Sequence, residues 1–239
     1  MYQNFVRFLS LIFALVFFAG CEKGFDNRKE RKKPSSEVIK QEKSKKPKII
    51  AFGDSLTVGF GLSEKESYPY LLQQRLNAEG YDYEVINAGI SGDTTQGGLE
   101  RIDWSLDQEN VEILILALGG NDLLRGIPPS QTKRNLAQII ERAKSKNIKV
   151  LLCGMLAPPT MGREYQRDFN TLFPDLADKY NVAFMPFLLE GVALKKELNQ
   201  ADGIHPNAEG MKVVAENVYQ ALKPLLSKSN EQAESRMQK

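Results

Sequence analysis

The 239-residue chain predicts an α/β protein, with a mostly parallel sheet and helices on both of its faces. Three observations predict it. Aliphatic runs of strand length alternate throughout with segments whose apolar residues fall at helical spacing. Several of the runs end in glycine-containing loops that carry polar side chains. The run over 111–118 is almost purely aliphatic, as a central strand covered on both faces would be. Strand–helix–strand units close as right-handed crossovers, so the loops after the strands gather along one edge of the sheet.

The first strand, 49–53, is an apolar β-prone run that stops at Gly53-Asp54-Ser55. A hydroxyl directly after a buried strand is presented at the strand's carboxyl end, where open α/β sheets put their ligands. Residues 67–79 carry Tyr70, Leu71, Leu72 and Leu76 at helical spacing and stop at Gly80. A second strand, 83–88, ends in the glycine-punctuated loop from Asn87 to Thr95. A helix over 96–107 follows, with Trp104 as a packing residue. The third strand, 111–118, runs into Gly119-Gly120-Asn121-Asp122, and a helix over 131–145 leads to the fourth, 149–155. A helix over 164–180, a fifth strand over 183–187 and a last helix over 207–222, closed by Pro224, complete the alternation. The loop feeding that last helix, Asp202-Gly203-Ile204-His205-Pro206, holds the single histidine of the chain.

Ser55 is thus a candidate nucleophile, and a serine is inert without a base. Any mechanism through imidazole has to use His205, three residues after Asp202. Acyl transfer needs a nucleophile, a base, a group that orients the base, and donors aimed at the developing oxyanion. Ser55 is assigned as nucleophile, His205 as general base and then general acid, and Asp202 as the carboxylate that holds the imidazole tautomer. The backbone N–H groups of Ser55 and Gly92, with the side-chain amide of Asn121, are assigned to the oxyanion hole. Taken singly, Ser55 would read as a cap and Gly92 as a turn glycine. Activity is expected to fall on acidification as the imidazole takes up a proton. With one histidine and two cysteines there is no clustered set to hold a catalytic metal, so chelators are expected to have no effect and no cofactor is implied.

The net charge of +2 is unevenly divided. Residues 1–48 hold 12 of the 32 Lys/Arg and 5 of the 30 Asp/Glu, leaving 20 basic against 25 acidic residues in the remainder. The basicity belongs to the start of the chain and not to its body, which argues against a nucleic-acid partner. Arg7 precedes an apolar stretch over 8–18, broken only by Ser10, and Ala19-Gly20 then lead into Cys21. The stretch is short for a membrane span and has the layout of a secretory signal peptide over 1–20. A cysteine directly after Ala-Gly resembles a bacterial lipoprotein signal. That resemblance implies an acylated Cys21 and a membrane anchor in the cell envelope, facing the periplasm. Residues 21–47 are charged and read as a flexible tether, and 227–239 as a disordered tail, which leaves one domain over 48–226. Cys153, in an apolar strand, reads as a buried inert thiol.

Gly53-Asp54-Ser55-Leu56, Gly92, Gly120-Asn121-Asp122 and Asp202-x-x-His205 resemble the four sequence blocks of the SGNH hydrolases, or GDSL lipases/esterases, over about residues 48–224. The stretches around Gly92, Asn121 and His205 are especially similar to the bacterial periplasmic enzymes called acyl-CoA thioesterase I, arylesterase or lysophospholipase. The resemblance implies a flavodoxin-like three-layer α/β/α fold on a five-stranded sheet, no metal, and hydrolysis of acyl esters and thioesters. It gives Ser55, Gly92, Asn121, Asp202 and His205 the roles assigned above. It also implies that the loop after Asn121 borders the acyl site, making Leu123, Leu124, Ile127, Met161 and Ile204 candidates for an acyl-chain groove. A lipidated enzyme would meet lysophospholipids as substrates. A carbohydrate O-deacetylase of the same superfamily and a non-catalytic binding lipoprotein are the alternatives.

Overall fold

Five strands, each followed by a helix, build the sheet in the computed structural model, which describes residues 46–228. They are β1 (Lys48–Gly53), β2 (Glu84–Gly89), β3 (Val111–Ala117), β4 (Lys149–Cys153) and β5 (Ala183–Met185), all parallel, in the order β2-β1-β3-β4-β5. The helices are α1 (Ser55–Val58), α2 (Tyr68–Ala78), α3 (Thr95–Leu106), α4 (Gly120–Leu124), α5 (Pro129–Ser145), α6 (Arg163–Tyr180) and α7 (Ala208–Leu222). The chain steps from β1 out to β2, returns across β1 to β3, and then moves steadily outward. Right-handed crossovers therefore place α2 on one face and α3, α5 and α6 on the other. α3 packs on α5 and α5 on α6, while α7 packs on α2, which closes the three layers.

Cover on both faces explains the continuous aliphatic runs. Ile49 to Phe52 in β1, Ile113 to Leu116 in β3 and Leu151 to Cys153 in β4 are all inaccessible to solvent. Burial pushes the Cys153 thiol up to about 12, so it stays protonated and inert. Helix and strand ends fall close to those expected, but β4 and β5 stop two residues early, at Cys153 and Met185, where the chain turns into a cavity wall. α1 and α4 are additions to the expected elements: each is a single turn directly after a strand, too short to show apolar periodicity. Trp104 is a correction. α3 buries Leu99, Ile102 and Leu106, which turns position 104 outward and leaves the indole 76% exposed.

The expected signal peptide over 1–20, Cys21, the expected tether up to residue 45 and the expected tail beyond residue 228 lie outside the described residues. Among the described residues no helix is long and apolar enough to cross a membrane.

Candidate active site

The switch in strand order lies between β1 and β3, and the loops after these two strands carry Ser55 and Asn121. β1 ends at Gly53, and Asp54 caps α1 by accepting from the Leu56 N–H (3.0 Å), so Ser55 is the first residue of that helix. α1 lies directly on the end of β2. A Cβ at Gly89 would stand 2.5 Å from Val58 N and 2.9 Å from Asp54 O, a space only glycine leaves open.

His205 comes to Ser55 from the loop before α7. With the imidazole proton on Nδ1, it donates to Asp202 Oδ2 (2.6 Å), and Nε2 is left to accept from the Ser55 hydroxyl (2.9 Å). Asp202 is fixed in turn, its Oδ1 accepting from the backbone N–H groups of Ile204 (2.9 Å) and His205 (3.0 Å). The His205 backbone N–H, the imidazole and the Ile204 N–H hold the Asp202 carboxyl down at about 2, so it is ionised at neutral pH. Phe60, which the sequence reading passed over, lays its ring 4.8 Å from the imidazole, centroid to centroid.

The residues expected to supply the oxyanion donors, Ser55, Gly92 and Asn121, line one cavity. The Ser55 N–H stands at the start of α1, where backbone amides lack intrahelical acceptors. Gly92, at φ +84°, occupies the left-handed turn after β2. α4 grips that turn twice: Arg125 Nη2 donates to Gly92 O (2.8 Å) and Asn121 Nδ2 to Asp93 O (2.9 Å). α4 is itself held by buried Asp122. Its carboxylate accepts from the Thr95 N–H (2.8 Å), the Thr95 hydroxyl (2.5 Å) and the Thr132 hydroxyl (3.1 Å), joining α3, α4 and α5. Asn121 Nδ2 also donates to Asp54 Oδ2 (3.3 Å). Burial pushes the Asp54 carboxyl up to about 6, against the Leu56 N–H, the nearby imidazole and the Asn121 amide, which all favour its ionised form.

Ser55, Gly92, Asn121 and His205 open onto a cavity of about 610 Å³. Leu123, Leu124 and Ile204 lie on its wall as expected, but Ile127 and Met161 do not. Ile127 follows α4 and turns toward α6, its carbonyl accepting from the Tyr165 hydroxyl (2.9 Å). Met161 closes a short helical turn, Pro159–Met161, whose Pro159 and preceding Pro158 reach the wall instead. Met155, Leu156, Phe187 and Leu189 are among the further apolar residues of the wall. The first of these was hidden in the sequence by an expected strand that ran through it. Among the described residues, no group of three or more His, Cys, Asp or Glu side chains could hold a metal ion.

A serine, imidazole and carboxylate in series at the switch point of a doubly wound sheet, opening onto a largely apolar cavity, define a serine hydrolase on an open α/β scaffold. The sequence profile of the GDSL-like Lipase/Acylhydrolase family matches residues 51–213. Esterase TesA of Pseudomonas aeruginosa is 43% identical over 178 residues, covering 74% of this chain and 89% of that protein. The Thioesterase 1/protease 1/lysophospholipase L1 of Escherichia coli K12 is 37% identical over 75% of this chain and 85% of its own length. The crystal structure of AlinE4, an SGNH-hydrolase family esterase, superposes with a TM-score of 0.64 at 44% identity, covering 76% of this chain and 97% of that one. The chain belongs to the GDSL-like lipase/acylhydrolase family and is an ester hydrolase.

Proposed function

We propose that the protein hydrolyses fatty-acyl esters and thioesters through an acyl-enzyme on Ser55, with lysophospholipids among its substrates. The observation that carries this reading is the continuous relay from Ser55 Oγ through His205 to Asp202, at 2.9 and 2.6 Å, opening onto the cavity. As the Ser55 oxygen attacks the acyl carbonyl, His205 Nε2 takes the hydroxyl proton, and Asp202 stabilises the resulting imidazolium. The tetrahedral oxyanion receives the N–H groups of Ser55 and Gly92 and one N–H of the Asn121 amide, which gives up its long contact to Asp54 Oδ2 (3.3 Å) to do so. Collapse returns the His205 proton to the departing alcohol or thiol. Water, deprotonated by His205, then releases the acid and regenerates Ser55.

A fatty-acyl chain suits the lining, where Leu123, Leu124, Leu156, Phe187 and Ile204 present apolar surface. Its volume falls in the range of about 300–1,000 Å³ usual for small-molecule clefts. The names of the relatives, esterase and thioesterase/lysophospholipase, support the same substrate class. The arrangement around Cys21 supports a lipid anchor that holds the enzyme at an envelope membrane, facing the periplasm, with the charged segment before residue 48 as tether.

The test is hydrolysis of p-nitrophenyl esters from acetyl to palmitoyl, and of lysophosphatidylcholine, by the wild type and Ser55→Ala. The wild type is expected to prefer chains longer than acetyl and to release fatty acid from the lysolipid, with the variant inert. Activity confined to acetyl groups, or retained by the variant, would overturn the reading.

A further inference from the structure

Arg101, on α3 and outside the cavity lining, spends its whole guanidinium on the backs of the loops that form the site. Nε donates to Asp93 Oδ2 (2.6 Å), Nη1 to Ala88 O (2.9 Å) and Nη2 to Gly53 O (3.0 Å), and the group lies 3.9 Å above the Phe52 ring centroid. Its side chain and that of Asp93 are 20% and 16% exposed, so solvent screens this ion pair only in part. Two of the three acceptors, Gly53 and Asp93, lead to oxyanion donors. Gly53 ends β1 two residues before Ser55, and Asp93 follows Gly92. The Asp93 carbonyl accepts from Asn121 Nδ2 (2.9 Å).

We propose that Arg101 is a positioning residue that sets the mutual placement of the three oxyanion donors: the Ser55 and Gly92 N–H groups and the Asn121 amide. The inference rests on the donor roles assigned under the proposed function. A planar fork that donates in three fixed directions from one centre can fix three chain segments at once, whereas a lysine ammonium at the same place is a point charge on a flexible stem. Oxyanion donors act through preorganisation, so a small displacement shows in the transition state and barely in substrate binding.

The experiment compares full-length wild type, Ser55→Ala, Arg101→Lys and Arg101→Met. It measures kcat and KM on a p-nitrophenyl ester, and inhibition by an alkylboronic acid, which adds reversibly to serine as a tetrahedral anion. Both Arg101 variants are expected to lose roughly tenfold to hundredfold in kcat, with little change in KM. Boronate affinity should fall in step with kcat. Arg101→Lys keeps a cation beside Asp93 and so reads positioning apart from the loss of the ion pair. Folded variants with kcat and boronate affinity close to wild type would overturn the inference, as would a loss confined to KM. Failure of both variants to fold would assign Arg101 to stability instead. An active wild type with an inert Ser55→Ala keeps the esterase reading whatever the Arg101 variants do, whereas a wild type inert on every ester removes that reading and this inference together.

Discussion

Two carboxylates near Ser55 are driven in opposite directions, and each makes a prediction. Asp202, with three donors, is held at about 2 and supplies stability that is full above the ordinary carboxylate pKa and is lost as pH falls below it through about 2. Asp54 is 2% exposed and moves from 3.8 to about 6, chiefly through burial. Between those values the folded protein binds this proton more tightly than the unfolded chain, so the Asp54 contribution to stability falls as pH rises, by about 3 kcal/mol across the window. Asp54→Asn removes that slope. Urea denaturation of both proteins from pH 4 to 7 is expected to give a stability difference that changes with pH, and parallel curves would contradict the assignment. Asp202→Asn leaves the shape of the triad but no longer favours the Nδ1–H tautomer, so kcat is expected to fall by roughly 10³- to 10⁴-fold in steady-state assays. Ser55, Asp202 and His205 could be found in the sequence because imidazole chemistry had one place to go. Asp54 and Phe60 could not be assigned a role there, since neither the burial of a carboxylate nor a ring contact between distant residues has a spacing to detect.

At the scale of the element, the site depends on two single-turn helices seated on glycine-rich strand ends. α1 presents Ser55 only because β2 ends in Gly89, and the nearest atoms to a Cβ there are backbone atoms that cannot swing aside. Gly89→Ala is expected to cost about 1–3 kcal/mol of stability in chemical denaturation, as overpacking does. It should also lower kcat, because the group displaced is the helix that carries the nucleophile. Unchanged stability and kcat would show that α1 has room to shift. α4 is placed from behind by Asp122 and from its far end by Arg125, and in that position Asn121 reaches the Asp93 carbonyl. The longer helices were legible from their apolar spacing. α1 and α4 were not, because one turn has no period, and the expected groove residues Ile127 and Met161 were misplaced because loop direction is set by contacts such as that of Tyr165.

At the scale of the molecule, alternation of strand and helix was enough for the class and for parallel pairing. The order β2-β1-β3-β4-β5 had no local signature, because it depends on which distant strands pair. That order makes β1 and β3 neighbours and so brings Ser55 and Asn121 to one edge. The proposed lipid anchor is a property of the chain outside this sheet. Cys21→Ser is expected to move the protein from the membrane to the soluble fraction with ester hydrolysis retained, and an unchanged membrane fraction would remove Cys21 as the anchor. The central claim, a covalent mechanism on Ser55 activated by His205, is tested most directly by intact-protein mass spectrometry after exposure to a p-nitrophenyl alkylphosphonate. One adduct per chain, mapped by peptide analysis to Ser55 and absent from Ser55→Ala, is the predicted result. No adduct on an active enzyme, or an adduct on another residue, would contradict it.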